Sequence, residues 1–504
     1  AFRHFPRKDY SHILLHVKQR VKKMYDFKTE PYDHQMTAYK ESWDRRSYAL
    51  FMEMGTGKTK VAVDTMGTLF ESGKINAALI IAPKGVYSNW AIKEIPQHLS
   101  DDVQRDVLLW QPNQTQKFKK RLTEVARGSD KDILRILIMN TEALSTQKGT
   151  KVAQRFLEIN PDNFVVVDES TSIKNRNAQR TKNIIKLGKV SKFKRILTGS
   201  PITKNPMDLY SQCEFLGSTI LGFESYYAFQ GRYAVVQQRK FGARSFQQIT
   251  GYRNLEELNR KLDGFSNRVL KEDCLDLPKK VYMTRNVELT NEQHKAYKQM
   301  KEYALALLEK GELSTTQSVL TQIMRLQEIC CGHLRTDDGD IQALDSNRMN
   351  EMLNVIDEMI GKVIIWASYV WDIRRIADAL ATRYGHDSSA VFYGQTSQDD
   401  RDEIVSLFQE PDSELRFLVA NPKTGGYGLT LTEATNVIYY NNSYDLEIRL
   451  QSEDRAHRIG QEHHVLYVDL VSPNTVDEKI IKALKNKVSL AQQVLGEETR
   501  DWLS

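Results

Sequence analysis

The chain has 504 residues, too many for one ordinary domain and suited to two to four. Hydrophobic residues make up 40% and charged residues 27%, the balance of a soluble globular protein. No apolar run approaches the roughly 20 residues needed to cross a bilayer, so a helical membrane span is excluded. The formal net charge of +6 makes nucleic acid a reasonable partner without establishing it.

The chain opens on Ala1-Phe2 with no Met, as in a processed or trimmed chain, and its polar, basic start lacks the apolar core of a signal peptide. Residues 1–29 form a basic segment (Arg3, Arg7, Lys8, Lys18, Arg20, Lys22, Lys23) with an amphipathic pattern; such a run is either a solvated face or a DNA contact. Residues 30–215 alternate short apolar runs with helical periods. Strands are expected at Tyr48–Met52, Ala77–Ala82, Ile133–Met139, Phe164–Val167 and Lys194–Leu197, which reads as a parallel sheet covered on both faces. In 216–345 that rhythm stops, and an α-helical insert is expected, with helical stretches at Leu255–Leu262 and Asn291–Leu308. The α/β rhythm returns over 346–480, with strands at Val363–Trp366, Ser389–Tyr393, Phe417–Ala420, Asn436–Tyr440 and Val465–Leu470, and 481–504 read as a C-terminal helix. None of the four cysteines sits in a CxxC pair; buried thiols in a reducing compartment are expected.

Gly55-Thr56-Gly57-Lys58-Thr59 follows the first strand and opens a helix. Glycines there let backbone N–H groups wrap phosphate oxygens at a helix N-terminus. Lys58 would reach the outer phosphates, and the Thr59 hydroxyl would bind magnesium. Phe51 stands where the longer form of this loop has its first glycine, so this is the short GxGKT form. About 110 residues on, a buried strand ends in Asp168-Glu169, the acid pair expected to hold magnesium through water (Asp168) and to orient the attacking water (Glu169). In the second block, Arg455 and Arg458 stand three apart, a spacing that puts both on one face of a helix, where they either stabilise charge on a γ-phosphate or are two ordinary arginines of a surface helix.

Together these segments resemble the Swi/Snf-type ATPases of helicase superfamily two, from about Tyr32 to Val476. Tyr32-Asp33-His34-Gln35 resembles the entry motif, Ile81 to Trp90 the next, Leu197 to Ile202 with Asn205-Pro206 and Asp208-Leu209-Tyr210 the coupling motif, and Gly425 to Thr432 a motif of the second block. Arg268, Lys271, Asp273 and Leu277-Pro278-x-Lys280, and Arg325 to Cys330 with His333, resemble segments particular to that family. The resemblance implies two RecA-like α/β domains, ATP and Mg2+ as cofactors, and a site completed when the two domains close. It implies adenine recognition by Gln35, nucleotide contacts from Gly55, Thr56, Gly57, Lys58, Thr59 and Gly428, and coupling through Thr198, Ser200 and Gln451. DNA contacts fall on Lys84, Asn89, Asn140, Thr141, Ser368, Lys423 and Thr424; Trp90 reads more readily as core. Asn441, Asn442 and Tyr444 line the interdomain cleft or are plain loop. Asp168-Glu169-Ser170-Thr171 departs from the family's Asp-Glu-Ala/Gly-His, which touches coupling rather than hydrolysis.

The expected function is an ATP-dependent translocase on double-stranded DNA, working as a monomer on DNA or DNA-bound proteins and away from membranes. A minimal bacterial or viral member in the cytoplasm is expected, or a nuclear one in a eukaryote. The alternatives are a strand-separating or fork-remodelling helicase, for which the sequence offers no clear wedge, and a nucleotide-gated DNA-binding scaffold, against which Lys58, Glu169, Arg455 and Arg458 argue.

Overall fold

The computed structural model describes residues 25–495 except 114, 128–129, 131, 242–243, 310–315, 337–338 and 426–428. Most of the basic N-terminal segment and Gly428 therefore lie outside the described residues. The chain forms two compact units.

The first unit is built on a seven-stranded sheet of β1 (Ser47–Met52), β2 (Ala77–Ala82), β3 (Arg105–Leu109), β4 (Leu134–Asn140), β5 (Asn163–Asp168), β6 (Phe193–Leu197) and β9 (Ser266–Val269); the two-stranded ribbon of β7 (Ala234–Phe241) and β8 (Arg244–Tyr252), which precedes β9 in the chain, groups with the second unit. The order is β3-β4-β2-β5-β6-β1-β9, and every neighbouring pair is parallel. Parallel strands with helical crossovers are covered on both faces, which is why β2 and β5 are buried along their whole length. The helix Lys58–Glu71 packs Val61, Ala62, Val63, Met66 and Leu69 into the core with Leu50, Ile80 and Val166.

The second unit holds β10 (Lys280–Asn286), a short pair β11 (His333–Arg335) and β12 (Ile341–Ala343), then β13 (Lys362–Trp366), β14 (Ser389–Phe392), β15 (Phe417–Ala420), β16 (Ala434–Tyr439) and β17 (Val465–Val471). Its sheet runs β10-β17-β16-β13-β15-β14, again all parallel. Val363 and Ile365 enter one apolar cluster, and Ile364 and Trp366 enter another. This period-two alternation marks a strand buried on both sides.

The fold class expected from the sequence is observed, and the expected strands recur within about two residues at each end. The stretch 216–345 differs. It is not a purely helical insert: it contains the antiparallel ribbon β7–β8, it gives β9 to the first sheet beside β1, and it gives β10 to the second sheet beside β17. These strands are short or polar, and backbone pairing with an already buried strand recruits them without an apolar run of their own. Cys330 and Cys331 are free, buried thiols at the end of the helix Thr316–Cys331. No described helix is long and apolar enough to cross a membrane.

Candidate functional site

β1 delivers the chain to a loop in which Gly55 and Gly57 take φ of +82° and +91°, a region closed to most side chains. A Cβ on Gly57 would stand 2.2 Å from Gln35 Nε2, so glycine is also required by the close approach. Gln35 is buried; its carboxamide accepts from Tyr32 N (3.1 Å) and donates to Thr56 O (3.2 Å), while the His34 ring meets the same carbonyl at 2.7 Å. The entry motif thus grips the loop. Lys58 and Thr59 then open the helix Lys58–Glu71.

Asp168 ends β5, two strands from β1. It is buried, and that burial raises its carboxyl pKa; the charge of Lys58 and a hydrogen bond from Trp90 pull it back down. Trp90 is 2% exposed, as its core reading implies, yet its Nε1 donates to Asp168 Oδ2 at 3.0 Å. Glu169 sits at φ +46°, a left-handed conformation costing about 1–3 kcal/mol in a residue other than glycine. Its carboxylate faces Lys58 Nζ at 3.5 Å and accepts from Thr198 Oγ1 at 3.5 Å. Thr198 Oγ1 in turn accepts from Ser200 N (3.2 Å). The expected catalytic and coupling residues of this unit therefore meet at the carboxyl ends of β1, β5 and β6.

Oxygen donors from Thr59 and Asp168 suit magnesium, a hard cation. A carboxylate whose burial disfavours its own charge, under the charge of the lysine that follows two positive-φ glycines, fits a cation and the phosphates it accompanies.

Two further bonds brace this corner, and in each the bonding partner is set by the fold. Arg268 on β9 donates to Phe51 O (3.1 Å) and Gly199 O (2.8 Å). It ties the strand before the glycine loop to the coupling motif, and pairing of β9 with β1 places it there. Ser170 stands where the family has Ala or Gly; its hydroxyl donates to Gln212 Oε1 (2.7 Å), and Gln212 Nε2 donates to Pro201 O and Asp208 O (2.8 Å each). The acid motif is thereby bonded to the coupling motif through a fully buried amide.

The expected DNA contacts of the first unit follow β2 and β4, which are neighbours: Ala82 pairs with Asn140. Lys84 is exposed and Asn89 half-buried, just before a single π-turn at Trp90–Glu94. Asn140 bonds Glu142 Oε2 (2.9 Å). Thr141 is 1% exposed, which removes it as a direct contact: the 3-10 turn Thr141–Ser145 folds its side chain inward.

In the second unit, Ser368, Lys423 and Thr424 come together beyond β13 and β15. Asn421 joins them, donating to Ser368 O (2.9 Å) and accepting from Lys423 N (2.9 Å). Lys423 is exposed. Gly425 closes this turn against Trp366, where a Cβ would meet the indole at 2.8 Å. Asn441 and Asn442 are buried; Asn441 accepts from Ser368 N (2.9 Å) and Asn442 donates to Asp469 (2.6 Å), so both are internal braces. Tyr444 is half-buried and its carbonyl accepts from Lys487.

Arg455 and Arg458 are not on one helix face. The helix Leu446–Glu453 ends before them, and they occupy the turns that follow, where Arg455 N and Ala456 N bond back three residues, to Ser452 O and Glu453 O. They converge nonetheless: both donate to Leu429 O, at 3.1 and 2.9 Å. Arg455 is 2% exposed and also donates to Gln451 O (2.9 Å), while Arg458 is half-buried.

A glycine loop with its lysine at a helix start, facing an acid pair two strands away, is the geometry of the phosphate-loop nucleotide hydrolases. Residues 14–334 match the SNF2-related domain, and residues 347–460 match the helicase conserved C-terminal domain. The chain belongs to the SNF2-related family. Among its relatives are an uncharacterised ATP-dependent helicase of Mycoplasma genitalium, 28% identical over 88% of this chain and 40% of that protein, and the ISWI chromatin-remodeling complex ATPase of Saccharomyces cerevisiae, 26% identical over 88% of this chain and 38% of that protein. The chain thus spans about 40% of the length of such relatives. A solved structure of the Sulfolobus solfataricus SWI2/SNF2 ATPase core in complex with dsDNA is 25% identical, covers 94% of both chains and superimposes with a TM-score of 0.42.

Proposed function

We propose that this protein is an ATP-dependent translocase on double-stranded DNA. One observation carries the reading. The nucleotide-site candidates lie at the carboxyl ends of β1, β5 and β6, and the phosphate-contact candidates at those of β2 and β4, along the same end of one parallel sheet. The Trp90–Asp168 hydrogen bond joins the two groups.

In this mechanism Lys58 holds the outer phosphates of ATP and Glu169 orients the attacking water, released from its contact with Lys58 as the phosphates engage the lysine. Thr59 and Asp168 would hold magnesium, which would supply charge neutralisation on those phosphates. Arg458 supplies positive charge from the second unit, with Arg455 fixing the turn that carries it. Thr198 and Ser200 report the state of Glu169 to the rest of the coupling motif. Lys84 and Lys423 grip backbone phosphates without reading sequence, as a translocase requires.

The test is steady-state ATP hydrolysis with no nucleic acid, single-stranded DNA, duplex DNA and duplex RNA. Duplex DNA should stimulate most, and the protein should then displace a triplex-forming strand. Stimulation by single strands or RNA instead, or none, would move the reading to an unwinding helicase or a scaffold.

A further inference from the structure

The chain passes from the first unit to the second for the last time between Cys274 and Leu275, and Pro278 follows shortly after that crossing. From Pro278 on, the entering segment is bonded to the stretch 453–465 of the second unit. Pro278 O meets His457 Nε2 at 2.7 Å, Lys279 N donates to His464 Nδ1 (3.0 Å), Lys279 O accepts from Val465 N (3.3 Å), and Lys280 Nζ reaches Glu453 Oε2 (3.0 Å). β10 then runs beside β17 from Lys280↔Val465 onward.

His457 stands between the two arginines of the turn and is 7% exposed. A carbonyl oxygen can only accept, so the ring carries a proton on Nε2 and donates it to Pro278. The ring of Pro278 fixes its φ and leaves the residue with a carbonyl and no N–H to place. Other bonds of the turn stay within the motifs of the second unit: Gln461 N donates to Arg458 O (3.0 Å) and Leu431 N to Arg455 O (2.9 Å). The His457 bond instead spans 179 positions of sequence, and its acceptor is backbone on the entering segment. A backbone acceptor cannot follow by rotating a side chain, so a shift of that segment pulls on the residue beside Arg458. An arginine that meets charge in a transition state is sensitive to such a pull, since misplacement by about 1 Å can cost on the order of a hundredfold in rate.

We propose that His457 is a positioning residue for hydrolysis: its bond to Pro278 O ties the turn bearing Arg458 to the segment through which the chain enters the second unit, and so sets where Arg458 is held. The proposal rests on the reading of Arg458 as the residue that supplies positive charge to the reaction. It gives the Leu277-Pro278-x-Lys280 segment a task in the chemistry without any contact of its own with the nucleotide.

The experiment measures single-turnover ATP hydrolysis with duplex DNA saturating, and ATP affinity, for the full chain and for His457→Ala, His457→Asn and His457→Gln. The first two remove the bond, because the Asn amide stops short of Pro278 O; Gln places an N–H near the position of Nε2. Ala and Asn should lose about 10- to 100-fold in turnover with ATP affinity kept, and Gln should restore most of the loss. In an Arg458→Ala background, His457→Ala should cost nothing further, because the residue it positions is gone. Thermal unfolding checks that each variant is folded, and His457→Asn, which keeps a polar group in the buried slot, carries the test if His457→Ala does not fold. Unchanged turnover in the short variants, an equal loss in His457→Gln, a loss of ATP affinity with turnover kept, or a loss that multiplies in full onto that of Arg458→Ala overturns the proposal. If Arg458→Ala itself keeps full turnover, the reading of Arg458 fails and the proposal with it. If Arg458→Ala loses turnover and the His457 variants do not, the proposal alone fails.

Discussion

Trp90 leaves the segment that follows β2 and meets Asp168 at the end of β5, so one N–H connects the segment carrying the DNA-contact candidates Lys84 and Asn89 to a magnesium-ligand candidate. Trp90→Phe keeps the ring in its buried slot and removes only the donor. Partners that orient a metal ligand are typically worth 10–100-fold in metal affinity or activity. The magnesium concentration giving half-maximal ATP hydrolysis should therefore rise by about tenfold, measured by titrating Mg2+ at fixed ATP; an unchanged titration would reduce Trp90 to core packing. Ser170 and Gln212 call for a cycle rather than a single change. Ser170→Ala and Gln212→Leu each break the same buried bond, so in DNA-stimulated turnover the double variant should be no worse than the poorer single one. Fully additive losses would show that the two side chains act separately. Ser170 could be singled out from the sequence because it departs from the family's motif. Gln212 could not, since only the fold brings residues 42 apart in sequence into contact.

At the scale of elements, the buried ion network of the second unit fixes where β17 meets the helix Leu446–Glu453. Arg449 binds Asp469 and Glu453 and stacks 3.6 Å from the centre of the Tyr439 ring, and Lys280 on β10 reaches Glu453 at 3.0 Å. Burial by itself would raise the Glu453 carboxyl pKa; Lys280 and Arg449 reverse that and hold it below the usual glutamate value. A depressed carboxyl contributes stability above its unfolded pKa and loses it as the pH falls through the folded one, so this contribution disappears only in acid. Asp469→Ala leaves Arg449 buried with one anion fewer and should destabilise the protein by about 3–5 kcal/mol, read from denaturant unfolding at neutral pH; a loss under about 1 kcal/mol would mean that Glu453 alone suffices. The same elements explain what the sequence could reveal. Central strands such as β2, Ala-Ala-Leu-Ile-Ile-Ala, are apolar on both faces and stand out. β10, Lys-Val-Tyr-Met-Thr-Arg-Asn, and β9, Ser-Asn-Arg-Val, lie at sheet edges and are half-polar, so pairing defines them and hydrophobicity does not. The arginine turn looks helical in the sequence because residues 451–458 carry no glycine or proline, whereas the backbone leaves the helix after Glu453.

For the whole molecule, the proposed mechanism assigns Glu169 of the first unit and Arg458 of the second to the same chemical step. Glu169→Gln should still bind ATP and hardly turn it over. Arg458→Ala should lose on the order of a thousandfold in turnover with little change in ATP affinity, as expected of an arginine that meets charge developing in the transition state. The decisive measurement is the double variant. Residues that act as a unit are strongly non-additive: once one is lost, the other has little left to stabilise. Glu169→Gln/Arg458→Ala should therefore turn over no more slowly than the poorer single variant, in single-turnover measurements with duplex DNA saturating. A double variant slower by the product of the two single losses would mean that the residues contribute independently. Hydrolysis would then belong to the first unit alone, with Arg458 acting on some other step.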